Sequence, residues 1–222
     1  MLLSLENLIG FGISALVTLF ISIHLIKSYL KSKEESVKYF ASFITARLGM
    51  FIFMALTPLV YLTSENLLIS TILFLIVWIM VFISLVFPAM LFSHLKWIKM
   101  KKLYPGIIGG VGVVGILIAL VKITPIAIDP NTGLAFATIP QLSMLCYMFC
   151  KLFSVLPLSI LFLSQIAKGE KWMRVRSFLI GFGLLWVVST MIVPSFLPGV
   201  WLGIYCCIGD ILIFAGVKHK IA

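Results

Sequence analysis

The lysines and arginines of this chain gather in four short patches that lie between hydrophobic runs. The patches are Lys27/Lys31/Lys33/Lys38, Lys96/Lys99/Lys101/Lys102, Lys168/Lys171/Arg174/Arg176 and Lys218/Lys220. They hold 14 of the 17 basic residues, and only Arg47, Lys122 and Lys151 stand apart. Between the patches run apolar segments of about 20 residues, the length that crosses a hydrocarbon layer roughly 30 Å thick. Few folds are open to such a chain, because in lipid each backbone N–H and C=O must be bonded within the protein.

Composition agrees. With 62% hydrophobic and 11% charged residues in 222, the chain departs from globular norms of roughly half apolar and a quarter charged. Lipid must therefore be the solvent for most of it. The N-terminus reads as a retained first span and not a cleavable signal, since it lacks a basic leader and carries Glu6. No soluble domain is expected; the longest stretch without a strong apolar run is 126–141.

Seven spans are predicted, over about 8–29, 39–62, 67–95, 106–123, 142–166, 177–196 and 200–217 of one domain covering 1–222. The fold class is all-α, a polytopic bundle of seven transmembrane helices. Runs of this length exclude barrel strands, which need only about 10 alternating residues. Loops one, three and five and the C-terminal tail hold the four basic patches. The opposite side holds Glu6, Glu65 and Asp129, with Lys122 near a span end. The positive-inside rule then puts the N-terminus outside and the C-terminus in the cytoplasm of a multi-pass protein of the cell membrane. The net charge of +10 is local to span ends. It implies anionic lipid head groups as partners of the basic loops, besides the bilayer itself, and not nucleic acid.

Trp97, Tyr104 and Trp172 fall near inner span ends, and Tyr61 and Trp201 near outer ones, as an interfacial belt. Span four opens with Gly106 and Gly110 at small-xxx-small spacing, which predicts close packing in the bundle or against another helix. A Pro198-Gly199 turn separates the last two spans, and Pro58, Pro88, Pro157 and Pro194 should bend their helices.

Three charges are not explained by topology. Lys122 can snorkel outwards. Arg47 lies nine residues after Lys38, and Asp210 eight before Lys218. At about 1.5 Å per residue both sit roughly 12–13 Å from the inner boundary. A central charge costs at least about 2.5 kcal/mol, so spans two and seven are expected to meet through an Arg47–Asp210 pair. Lys151 is the tenth residue of span five and lies roughly 10 Å further out than Arg47. Ser143, Tyr147, Lys151 and Ser154 recur at four, four and three, one helical face that should point inwards. The candidate ligand-binding or charge network is thus Arg47, Tyr147, Lys151, Ser154 and Asp210. Its net positive character suits a carboxylate, a phosphate or a lipid head.

No catalytic motif emerges. There is no Gly-x-Ser-x-Gly, and Asp210 is the only buried carboxylate, so nothing supports a protease dyad. His24 and His94 lie near inner span ends and could serve a haem only if their helices faced each other. No metal or cofactor is expected. Cys146/Cys150 and Cys206/Cys207 read as apolar packers, with a disulfide between spans five and seven open only if those spans touch.

The plan resembles that of microbial rhodopsins, but span seven carries Asp210 and no lysine before Lys218, and Lys151 is in span five. It is also similar to small sugar transporters with a three-plus-one-plus-three repeat. Pro140-Gln141 resembles their proline-glutamine signature, yet Arg47, Pro88 and the Tyr147/Lys151 face have no counterparts in the other half. The leading expectation is a protein that binds or transports a small anionic or polar ligand within the bundle. One alternative is a non-catalytic membrane subunit of a larger complex, with no cavity at Lys151 and a membrane-protein partner. Another is a seven-helix sensor or receptor-like module.

Overall fold

A computed structural model describes residues 2–64, 66–125, 127–128, 135–136, 138–167, 169–190 and 200–219. The described residues form seven long helices: α1 (Leu2–Ser32), α2 (Glu35–Ser64), α3 (Leu67–Lys96), α4 (Leu103–Lys122), α5 (Gln141–Ser164), α6 (Lys171–Ser189) and α7 (Val200–Lys218). All seven are long and apolar enough to cross a membrane. A 3-10 turn at Ile98–Met100 links α3 to α4. Among the described residues there is also one small antiparallel pair, β1 (Ala127–Ile128) and β2 (Ala135–Phe136), in the segment expected to be the longest loop. Glu65, Asp129, Lys168, Pro194, the Pro198-Gly199 turn and Lys220 lie outside the described residues.

Most helices run past their apolar stretch into the flanking polar residues, because the backbone ladder does not depend on lipid. The largest shift is in α6, which starts at Lys171 and is helical to Ser189, where the apolar pattern predicts 177–196. Local chemistry sets some ends. Asn66 caps α3 by accepting the Ile69 N–H at 3.0 Å. Lys33 closes α1 with φ 57°, a left-handed turn whose N–H bonds the Tyr29 carbonyl at 2.7 Å. Pro58, Pro88 and Pro157 lie inside helices that continue through them.

The helices close a ring in which α1 packs on α2, α2 on α3, α3 on α5, α5 on α6, α6 on α7 and α7 on α1. Helix α4 stands outside this ring, wedged on the α3–α5 seam. The bundle mixes polar side chains into an apolar core and turns large apolar ones outwards. On α1, Asn7, Ser14, Thr18 and Ser22 are buried, while Leu16, Phe20 and Leu30 face outwards. That is how a helix packs when its outer solvent is lipid and polar side chains bond between helices.

Those polar contacts are explicit. Ser14 donates to the Gly203 carbonyl at 2.6 Å, Ser22 and Thr45 share a 2.6 Å bond, and Ser159 donates to the Gly181 carbonyl at 2.7 Å. Glycines bring backbones together beside them. A Cβ on Gly203 would sit 2.3 Å from the Gly10 carbonyl carbon, and one on Gly183 would sit 2.9 Å from the Gly209 oxygen. Span four departs from the expectation of packing within the bundle through Gly106 and Gly110. Gly106 and Gly110 meet nothing within 4 Å, and Gly112 and Gly115 instead pack against Phe82. Their helix lies outside the ring and turns its Gly106/Gly110 face away from its neighbours.

Candidate functional site

Arg47 and Asp210 come together as their matched depths imply. Arg47 Nε donates to Asp210 Oδ1 at 2.6 Å, and its Nη2 donates to the Cys206 carbonyl at 2.8 Å. Thr18 Oγ1 donates to the other carboxylate oxygen at 3.5 Å. The guanidinium lies 5.7 Å and 5.3 Å from the ring centroids of Phe43 and Phe51, within cation–π range. Aspartate and arginine therefore neutralise each other, and the rest of the guanidinium is held by a carbonyl and two aromatic faces. Asp210 is 0% exposed, sealed behind Arg47.

Lys151 is treated differently. It is 2% exposed, and its Nζ donates to Tyr147 Oη and to Thr190 Oγ1, each at 2.7 Å. Thr190 in turn donates to the Val187 carbonyl at 2.8 Å. An ammonium carries three donors and no acceptor. Two of them are taken by neutral hydroxyls, and no carboxylate is in salt-bridge range of Lys151 among the described residues. Among the described residues its hydrogen-bond partners are thus all neutral, which is costly for a buried cation.

Both cations border one cavity of ≈ 330 Å³. Its polar edge is Arg47, Tyr147, Lys151, Thr190 and Ser84; its walls are apolar and aromatic, with Met50, Met54, Phe74, Trp78, Met144 and Leu202 among them. The carboxylate of Asp210 does not line it. An occupant would meet two positive groups directly, while the negative one stays behind Arg47. Small-ligand sites have this composition, an apolar chamber with a few converging polar groups.

The face predicted on span five divides along its length. Tyr147 and Lys151 reach the cavity. Ser143 lies one turn further along, accepting from Trp78 Nε1 at 2.9 Å and donating to the Gly115 carbonyl at 2.7 Å. Ser154 is buried but does not line the cavity, and its hydroxyl has no hydrogen-bond partner among the described residues. Trp78, Thr190 and Thr18 were not singled out from sequence. Trp78 had a signal, because it sits in mid-span, away from the interface where tryptophan usually resides. Thr18 and Thr190 had none, since a lone hydroxyl on an apolar helix is too common.

The histidines do not face each other. His24 lies against Phe214 of α7 at 6.0 Å, and His94 against Tyr39 of α2 at 5.9 Å. All four cysteines are free thiols. Helix α6 stands between α5 and α7 in the ring. No known protein family, curated protein or solved structure matches this chain.

Proposed function

We propose that this chain is a cell-membrane protein, N-terminus outside, that binds or transports a small anionic or polar ligand in the cavity bordered by Lys151 and Arg47. The observation that carries this reading is the state of Lys151. Its ammonium is buried, bonded among the described residues only to Tyr147 and Thr190, and borders an apolar chamber. An anion entering from the outer side supplies the missing countercharge, and desolvation makes that contact strong. Arg47 adds a second positive edge, oriented by Asp210. Tyr147 and Thr190 hold the ammonium at the wall and offer hydroxyls to the ligand's polar end.

The subunit alternative expects tight packing at Lys151 with no cavity, so the ≈ 330 Å³ space supports ligand binding over it. The test is native mass spectrometry and thermal denaturation of the purified chain in nanodiscs, titrated with acetate, benzoate, a short aliphatic carboxylate series and inorganic phosphate. The expected outcome is stabilisation by at least one anion, weakened about 30-fold or more in Lys151→Met, since a buried charged contact is worth about 2 kcal/mol or more. Undiminished anion binding by Lys151→Met, or a protein partner of fixed stoichiometry with no anion effect, overturns the proposal.

A further inference from the structure

A second space lies on the outward-facing surface of the bundle, near the inner span ends, and shares no lining residue with the Lys151 cavity. It is an open groove of ≈ 670 Å³ between the end of α3 and α5. Leu152, Leu156 and Ile160 line one side, and Phe92, Lys96 and Trp97 the other. The groove runs along α5 from Leu152 to Ser164, a rise of about 18 Å. One leaflet of a bilayer core is about 15 Å deep, half of roughly 30 Å. The groove therefore has the length of an acyl chain in one leaflet.

Its mouth is charged. Lys96 lines it, and Lys99, Lys101 and Lys102 follow in the adjoining turn. None of these four lysines makes a salt bridge among the described residues. The rim is built from an aromatic cluster in which Phe92, Trp97 and Tyr104 lie edge-on or tilted, with centroids 5.2 to 5.7 Å apart. The groove wall is also braced. Pro157 has no N–H for the Phe153 carbonyl one turn back, and the Tyr104 hydroxyl of α4 donates to that carbonyl instead. This bond pins α4 against α5 beside the groove.

We propose that this groove is a specific site for an anionic phospholipid, with one acyl chain along α5 and the phosphate at Lys96. The apolar walls require a hydrocarbon occupant, the depth matches a single leaflet, and the unpaired lysines at the mouth select a negative head group.

Trp97 is a built-in reporter. The chain is reconstituted in phosphatidylcholine bilayers with increasing phosphatidylglycerol, one lipid at a time carrying brominated acyl chains. The Trp97 contribution to quenching is the difference between wild type and Trp97→Phe, after both show the same thermal midpoint. Phosphatidylglycerol should quench Trp97 at a mole fraction at least about fivefold lower than phosphatidylcholine, and Lys96→Gln should reduce that preference about fivefold. Lys151→Met should leave it unchanged. Equal quenching by the two lipids, a preference that survives Lys96→Gln, or no Trp97 quenching by either lipid because a protein covers the groove would each overturn the proposal.

Discussion

Arg47 and Asp210 bond at 2.6 Å although the helices that carry them are not direct neighbours in the ring. Helix α1 packs on both α2 and α7, and its Thr18 reaches the same carboxylate. The pair is thus a cross-link between α2 and α7, with α1 closing over it. Asp210 is wholly covered and does not border the cavity, and its contact with Arg47 holds that guanidinium in place.

That assignment has a measurable consequence. Asp210→Asn leaves a buried guanidinium without its counterion and should cost about 3–5 kcal/mol. The double variant Arg47→Met/Asp210→Leu should recover most of that loss, because it removes both charges and keeps the volume. Unfolding titrations in mixed detergent micelles would measure all three proteins. A single Asp210→Asn variant as stable as wild type would show that the pair contributes no clamp.

Glycine substitutions should divide sharply by position. At Gly203 an added methyl meets the backbone of Gly10 at 2.3 Å, and neither chain can move aside without parting α1 from α7. Gly203→Ala should therefore cost about 2 kcal/mol or more, at the upper end of overpacking penalties. Gly106 has nothing within 4 Å, so Gly106→Ala should be neutral or stabilise the helix by up to about 1 kcal/mol. Circular dichroism melts of the two variants side by side would decide; equal effects would contradict this packing of α1 on α7.

The Tyr104 hydroxyl and Pro157 should be energetically coupled. With proline at 157, Tyr104→Phe removes the donor to the Phe153 carbonyl and should cost about 1 kcal/mol. With Pro157→Ala, an ordinary helical N–H can reach that carbonyl, and Tyr104→Phe should then cost little. A double-mutant cycle on unfolding free energies measures the difference directly. Purely additive effects would mean that the bond does not compensate for the proline.

Much of this architecture is legible in one dimension. The lengths of the apolar runs predict the seven helices, because crossing lipid demands a minimum helical length. Counting residues from the basic patches set Arg47 and Asp210 at equal depth, because the rise per residue is constant. The depth count placed Lys151 in the bundle without a partner of opposite charge, and among the described residues none is in range.

Rotation and neighbourhood are another matter. The Gly106/Gly110 pair looked like a packing face and meets nothing, while Gly10 and Gly203, unremarkable in sequence, bring two backbones together. The position of α4 outside the ring, the joining of Lys151 to Thr190, and Trp78 in the cavity wall were decided only by tertiary structure. The reason is physical. In lipid both the outer face and most of the inner face of a helix are apolar, so the sequence by itself determines which runs are helical and, through the constant rise, how far apart their charges lie along each helix. The direction each helix turns is set by small steric fits and single hydroxyl contacts between helices, which exist only once the helices have met.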